Sequence, residues 1–268
     1  MKSKSWLARN RASVEVSEED GVRSLHLGGD AIQSSISIAR PDELALDYTR
    51  AMMAFLLFQP QPRDVLMIGL GGGSMARYIH QRMPGTRTTV VEINAKVLAA
   101  ARSMFHFPVD DARLEVVIAD GADYVREHAE SADVLLVDGF DDGKQPAALC
   151  AQAFYDAACE VLRPGGVMVV NFMAEEKKLD AYLQRIENSF DGQLVCLKAA
   201  DRVNHIAFAF RRHPREIAWT ELDKRARQLR KIHDLPLADF ITGLKEINPH
   251  TRVKLWLRTV AADQSQSK

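Results

Sequence analysis

The segment Asp64–Asn94, DVLMIGLGGGSMARYIHQRMPGTRTTVVEIN, constrains the fold of this chain more than any other. An apolar run, Val65 to Ile68, leads into a glycine cluster made of Gly69, Gly71, Gly72 and Gly73. A helical stretch with its turn follows, then a second apolar run, Thr89 to Ile93, which carries Glu92. Strand, tight loop, helix and a second strand ending in an acid are the layout of a nucleotide-binding βαβ unit. Glycines let a backbone come close to a ligand, and the first turn of a helix offers N–H groups without intrahelical partners. A carboxylate at the end of the second strand can accept hydrogen bonds from both hydroxyls of a ribose.

At 268 residues the chain can bury a full core, which suits one large α/β domain with a small appendage. Lys plus Arg total 35 against 36 Asp plus Glu, so no basic surplus marks nucleic acid as a partner. No run approaches the ~20 apolar residues of a membrane span, and no apolar signal core follows the charged N-terminus. A soluble, cytoplasmic protein is expected. Cys150, Cys159 and Cys196 lack the paired spacing of a zinc site, so no metal is expected and the cysteines read as free thiols.

Three regions are expected along the chain. Residues 1–40 form a β-rich appendage: Val14–Val16, Val22–Leu27 and Ile32–Ile38 are short alternating runs separated by the turn signals Glu19-Asp20-Gly21 and Gly28-Gly29-Asp30. Residues 41–213 alternate strand-like and helix-like runs, the pattern of a doubly wound Rossmann-like sheet. Its opening helix is expected from Pro41, with Asp42 and Glu43 in the first turn, and Pro60 and Pro62 ending it. Seven strands are predicted, at 64–69, 88–93, 114–119, 133–138, 166–172, 193–198 and 204–210. The link from Ala199 to Val203 is too short for a parallel crossover, so the last two strands should pair antiparallel. Residues 214–268 read as charged helices, Trp219 to Ile232 and Leu237 to Ile247, and a disordered tail from Ala262 to Lys268.

Four acids stand at or just beyond predicted strand ends: Glu92, Asp120, Asp138 and Asp141. Ligands of an open parallel sheet bind outside the carboxyl ends of the strands, so all four should face one crevice. Asp120 could accept from an adenine amino group while Gly121 gives the ring room, or it could cap the helix that follows. Asp138 ends the very apolar run VLLVD, where an acid is unfavourable without a partner. With Asp141 it could hold a cationic amine and take its proton. Gln33, on an N-terminal strand, reads as structural by spacing alone.

In this order, VLMIGLGGGS, VVEIN, IADGADYV, VLLVDGFDD, AFYDAACEVLRPGG and VMVVNF make the chain resemble the spermidine synthase family of polyamine aminopropyltransferases. The resemblance covers roughly Leu27 to Phe210. It implies that Gly69, Gly71 and Gly73 shape a loop around decarboxylated S-adenosylmethionine (SAM), or SAM itself, used as a co-substrate. It further implies Glu92 on the ribose, Asp120 and Gly121 on the adenine, and Gln33 on the same nucleoside. Asp138 would draw the proton from a small-molecule amine, Asp141 would hold that amine's cationic end, and the protein would be a homodimer.

Some positions depart from the family pattern. The typical loop Gly-Gly-Gly-Asp-Gly-Gly has Gly72 or Gly73 in place of its acid, and Asp-Ser-Ser-Asp-Pro becomes Asp138-Gly139-Phe140-Asp141-Asp142. Tyr48 falls one position out of register with the family's Tyr-x-Glu, and Arg50 would be an unwelcome cation beside a polyamine. Two alternatives to aminopropyl transfer therefore stay open, a SAM-dependent methyltransferase on the same scaffold and a non-catalytic nucleoside-binding relative.

Overall fold

The computed structural model describes residues 13–27, 32–140 and 145–257. Strands β1 (Val14–Glu19), β2 (Val22–Leu27) and β3 (Ile32–Ser37) form a small antiparallel sheet in that order. Asp20 (φ 50) and Gly21 (φ 76) make the β1–β2 turn, with the positive φ at both positions that a type I′ hairpin turn uses. The second turn signal, Gly28-Gly29-Asp30, lies outside the described residues, as does the tail from Ala262.

The expected helix from Pro41 is a correction. Helix α1 runs only from Asp47 to Met52 and passes into a 3-10 turn over Met53–Leu57. The acids that resemble a helix start are used in other ways. Asp42 Oδ1 accepts from Gln81 Nε2 at 2.9 Å, Glu43 pairs with Arg40, and the Pro41 carbonyl accepts from Arg77. Those ties hold Arg40–Glu43 as a single turn, closed by the Glu43 N–H donating to the Arg40 carbonyl at 3.2 Å, and the helix waits until Asp47.

The main sheet contains β4 (Asp64–Ile68), β5 (Arg87–Glu92), β6 (Leu114–Ile118), β7 (Ala132–Val137), β8 (Leu162–Met173), β9 (Leu194–Lys198) and β10 (Asn204–Phe210). Their spatial order is β6-β5-β4-β7-β8-β10-β9, and β10 is antiparallel to both of its neighbours. The antiparallel final pair thus forms as expected. Strand β8 starts earlier than position 166, because Leu162 pairs with Ala132 before an irregularity resets the register at Val167 and Val134. Helices α2 (Ser74–Arg82), α3 (Ala95–Met104), α4 (Gly121–Glu127), α5 (Gln152–Val161) and α6 (Leu179–Ser189) connect the strands.

Burial on both faces explains the continuous apolar runs. Val65 and Met67 of β4 belong to one core with α1, α2 and α3, while Leu66 and Ile68 point to a second core with α5 and α6. Strand order runs one way from β4 through β5 and the other way through β7. That reversal opens a crevice at the carboxyl ends of β4 and β7.

The C-terminal region adds β11 (Glu216–Ala218), α7 (Trp219–Leu229), α8 (Leu237–Ile247) and β12 (Lys254–Trp256). The β11–β12 pair was not expected, since three residues are too few to display a period. Helix α8 covers the outer edge of the sheet. Asn248, at its end, accepts from the Cys196 N–H at 2.7 Å and donates to the Cys196 carbonyl at 2.6 Å, so its amide stands in for the next strand. Among the described residues no helix is long and apolar enough to cross a membrane.

Candidate active site

The carboxyl ends of β4, β5 and β7 open into a cleft of about 980 Å³, counting its open mouth. Of the residues singled out in the sequence, Gln33, Gly69, Gly71, Glu92, Asp120, Gly121 and Asp138 all line it. Asp141 lies outside the described residues. Gly73 is not among the lining residues; it turns the chain into α2 at φ 76, where an added Cβ would sit 2.3 Å from the Phe107 ring.

Glu92 is buried at the end of β5. Its Oε2 accepts from the Leu70 N–H at 2.9 Å and its Oε1 from the Asn94 N–H at 2.8 Å. Burial pushes its pKa up, against the pull of these backbone N–H groups and that of Ile93. The acid therefore braces the glycine loop, and with three N–H groups on its roughly four acceptor sites it keeps about one site for a ligand hydroxyl.

Asp120 caps the helix that follows it and also lies in the cleft. Its Oδ1 accepts from the Ala122 N–H at 2.9 Å. Gly121 lets α4 start against β4, for an added Cβ would lie 2.4 Å from Ile68 Cγ2. Gly69 does the same between strands: at φ 95, its added Cβ would lie 2.4 Å from the Asp138 carbonyl. That close approach brings Asp138 alongside the glycine loop.

The Asp138 carboxylate meets the cleft with protein on its other sides. Asn171 Nδ2 donates to its Oδ1 at 2.9 Å. Burial pushes the Asp138 carboxyl up to about 6, and hydrogen bonds from Asn171 and Tyr48 pull the other way. A carboxylate with that proton affinity is suited to taking a proton near neutral pH.

Tyr48, which the sequence sets at best one position out of register with the family's Tyr-x-Glu, belongs to the cleft. Its hydroxyl, 3.4 Å from the Gln33 carbonyl, can turn its one proton to that oxygen or to the Asp138 carboxylate. Burial and the neighbouring Asp138 carboxylate hold its own pKa well above 10. The usable signal was the helix start: once α1 begins at Asp47, Tyr48 falls in its first turn, facing the sheet end. Arg50 is no intruder. It pairs with Asp47 and donates to the Leu44 carbonyl at 2.6 Å, and it is not among the cleft residues.

The loop is packed against glycine hydrogens. A Cβ at Gly72 would lie 2.8 Å from Phe105 Cδ1 and 2.9 Å from Ser34 Oγ. Neither Gly72 nor Gly73 can carry a side chain unless an aromatic ring shifts.

Comparison with known proteins agrees with this geometry. The Spermine/spermidine synthase domain model matches residues 46–200. A polyamine aminopropyltransferase of Chromobacterium violaceum is 42% identical over 238 residues, covering 89% of this chain and 91% of the relative. The chain belongs to the spermine/spermidine synthase family. Within that fold it resembles a spermidine synthase from Thermotoga maritima, with TM-score 0.63 and 20% identity over 86% of this chain and 83% of that one. It resembles human methyltransferase-like protein 13, solved with SAH, equally well at TM-score 0.63. There the identity is 29%, over 70% of this chain and 92% of that one.

Proposed function

We propose that this family member binds a SAM-type sulfonium nucleoside in the cleft and transfers its aminopropyl group to an amine held against Asp138. The observation that carries this reading is Asp138 itself, which stands at the end of β7 in the cleft beside the glycine loop, with Asn171 Nδ2 donating to its Oδ1 at 2.9 Å. Glu92 takes the ribose, Asp120 and Gly121 take the adenine, and Gln33 closes over the nucleoside from β3. A protonated amine gives its proton to Asp138 and becomes a nucleophile. Its nitrogen then attacks the carbon next to the sulfonium in line with the C–S bond. The C–N bond forms as C–S breaks, and the electron pair leaves with sulfur as methylthioadenosine. Because the sulfonium is a good leaving group, alignment and a neutral amine are what the protein supplies. The 42% identity to a polyamine aminopropyltransferase supports this form of the reaction.

One observation favours a second form, methyl transfer from SAM to an amine. The loop has no acid at Gly72 or Gly73 to receive a cationic aminopropyl end, and its packing leaves no space for one. The base would be the same; only the donor differs.

The thioether product distinguishes the two. Purified protein is incubated with a panel of aliphatic amines and either decarboxylated SAM or SAM. Release of methylthioadenosine supports aminopropyl transfer, and release of S-adenosylhomocysteine supports methyl transfer. Release of neither, from either donor, contradicts the proposed chemistry.

A further inference from the structure

Two asparagines stand in a row behind Asp138. The antiparallel register of β8 and β10 sets Asn171 opposite Ile206 and Asn204 opposite Met173. Both are deeply buried, Asn171 at 2% and Asn204 at 5% exposure, among neighbours such as Val170 and Phe172. An amide buried in an apolar sheet is unfavourable unless it is hydrogen-bonded, so such positions are ordinarily apolar.

These amides are bonded, and in one direction. Asn204 Nδ2 donates to Asn171 Oδ1 at 2.9 Å, and Asn171 Nδ2 donates to Asp138 Oδ1 at 2.9 Å. An ionised carboxylate only accepts, so Asn171 must turn its NH2 toward Asp138. Its carbonyl oxygen then faces Asn204, which must donate. If Asn171 flipped, two oxygens would meet at the carboxylate. Gln145 Nε2 holds the same residue from another side, donating to the Asn171 backbone carbonyl at 2.6 Å. The titratable group that faces Asp138 across this site is Tyr48 of α1.

We infer that Asn171 and Asn204 are positioning residues that fix the Asp138 carboxylate in its proton-accepting form, with Asn204 acting entirely through Asn171. Asn204 is too far along the row to touch the amine or the nucleoside. Its influence is to decide which end of the Asn171 amide faces the acid. The inference rests on Asp138 being the base of the proposed reaction, but its test reads Asp138 directly and so can fail separately.

The test follows the Asp138 carboxyl carbon by NMR in protein labelled at aspartate, the resonance being assigned by its loss in Asp138→Asn. Asn171→Leu should raise the Asp138 pKa by about one unit, as expected for losing a hydrogen bond to a charged group. Asn204→Leu should raise it by roughly half as much, since the Asn171 amide becomes free to turn. The double variant should match Asn171→Leu alone, because the second residue has nothing left to act on. The acid limb of kcat/KM should move up in the same order, with the nucleoside KM unchanged. A folded Asn204→Leu protein whose Asp138 titrates as in the wild type overturns the inference, and so does a double variant that shifts by the sum of the two singles. If Asn204→Leu does not fold, Asn204→Ser, which cannot reach Asn171, must give the same upward shift or the inference fails.

Discussion

The Tyr48 hydroxyl and the Asp138 carboxylate face each other across the cleft, linking the first turn of α1 to the end of β7. The hydroxyl stabilises the ionised acid. Tyr48→Phe should therefore raise the Asp138 pKa by roughly half a unit to one unit and carry the acid limb of kcat/KM with it. Activity at pH 8, above both limbs, should fall much less than activity at pH 6. A loss equal at both values would mean that Tyr48 acts on substrate placement and not on the acid.

Asp138 also makes a prediction about stability. Its carboxyl sits at about 6 in the folded protein, above the ordinary value of 3.8. Between those two values the folded state keeps a proton that the unfolded chain releases, so stability falls as pH rises through the window. Asp138→Asn removes that penalty. The variant should be more stable than the wild type by on the order of 3 kcal/mol at pH 7.5, and the gain should disappear near pH 4. Group transfer should be lost at both. Thermal unfolding across pH checks the sign, and a variant less stable at pH 7.5 would show that the ionised acid is not the strained species.

The glycine loop stands out in the sequence, but its packing does not. Gly72→Asp would restore the acid typical of the family, yet Phe105 and Ser34 occupy the space its Cβ needs. The substitution should destabilise the protein by roughly 1–3 kcal/mol, as overpacking does, and should not create tighter binding of decarboxylated SAM. Differential scanning fluorimetry measures the first and competition binding the second. An unchanged Tm with improved binding would mean the loop opens freely.

Much of the fold could be read from residue patterns because burial forces them. Fully apolar strands such as VLLV announce a sheet covered on both faces, and the short link from Ala199 to Val203 excludes a crossover. Glu92, Asp120 and Asp138 were visible because an acid at the end of an apolar run has few reasons to be there. The rest depended on tertiary contacts that leave no local trace. Pro41-Asp42-Glu43 carries every mark of a helix start, but Arg77, Gln81 and Arg40 engage it first. That displaced start also left the place of Tyr48 in the cleft unread. Asn171 and Asn204 read as polar residues in strands, and only the β8–β10 register reveals that they meet.

The central claim is that this cleft holds an adenosyl thioether or sulfonium through Glu92, whose oxygens already brace the loop at Leu70 and Asn94. Isothermal titration of the purified protein with methylthioadenosine, S-adenosylhomocysteine, SAM and decarboxylated SAM tests it most directly, with Glu92→Ala titrated alongside. At least one of the four should bind to the wild type, and Glu92→Ala should weaken it at least tenfold, the loss of a charge-assisted hydrogen bond worth ~1.5–3 kcal/mol. Absence of binding by all four, or equal binding by a folded Glu92→Ala protein, would contradict the account.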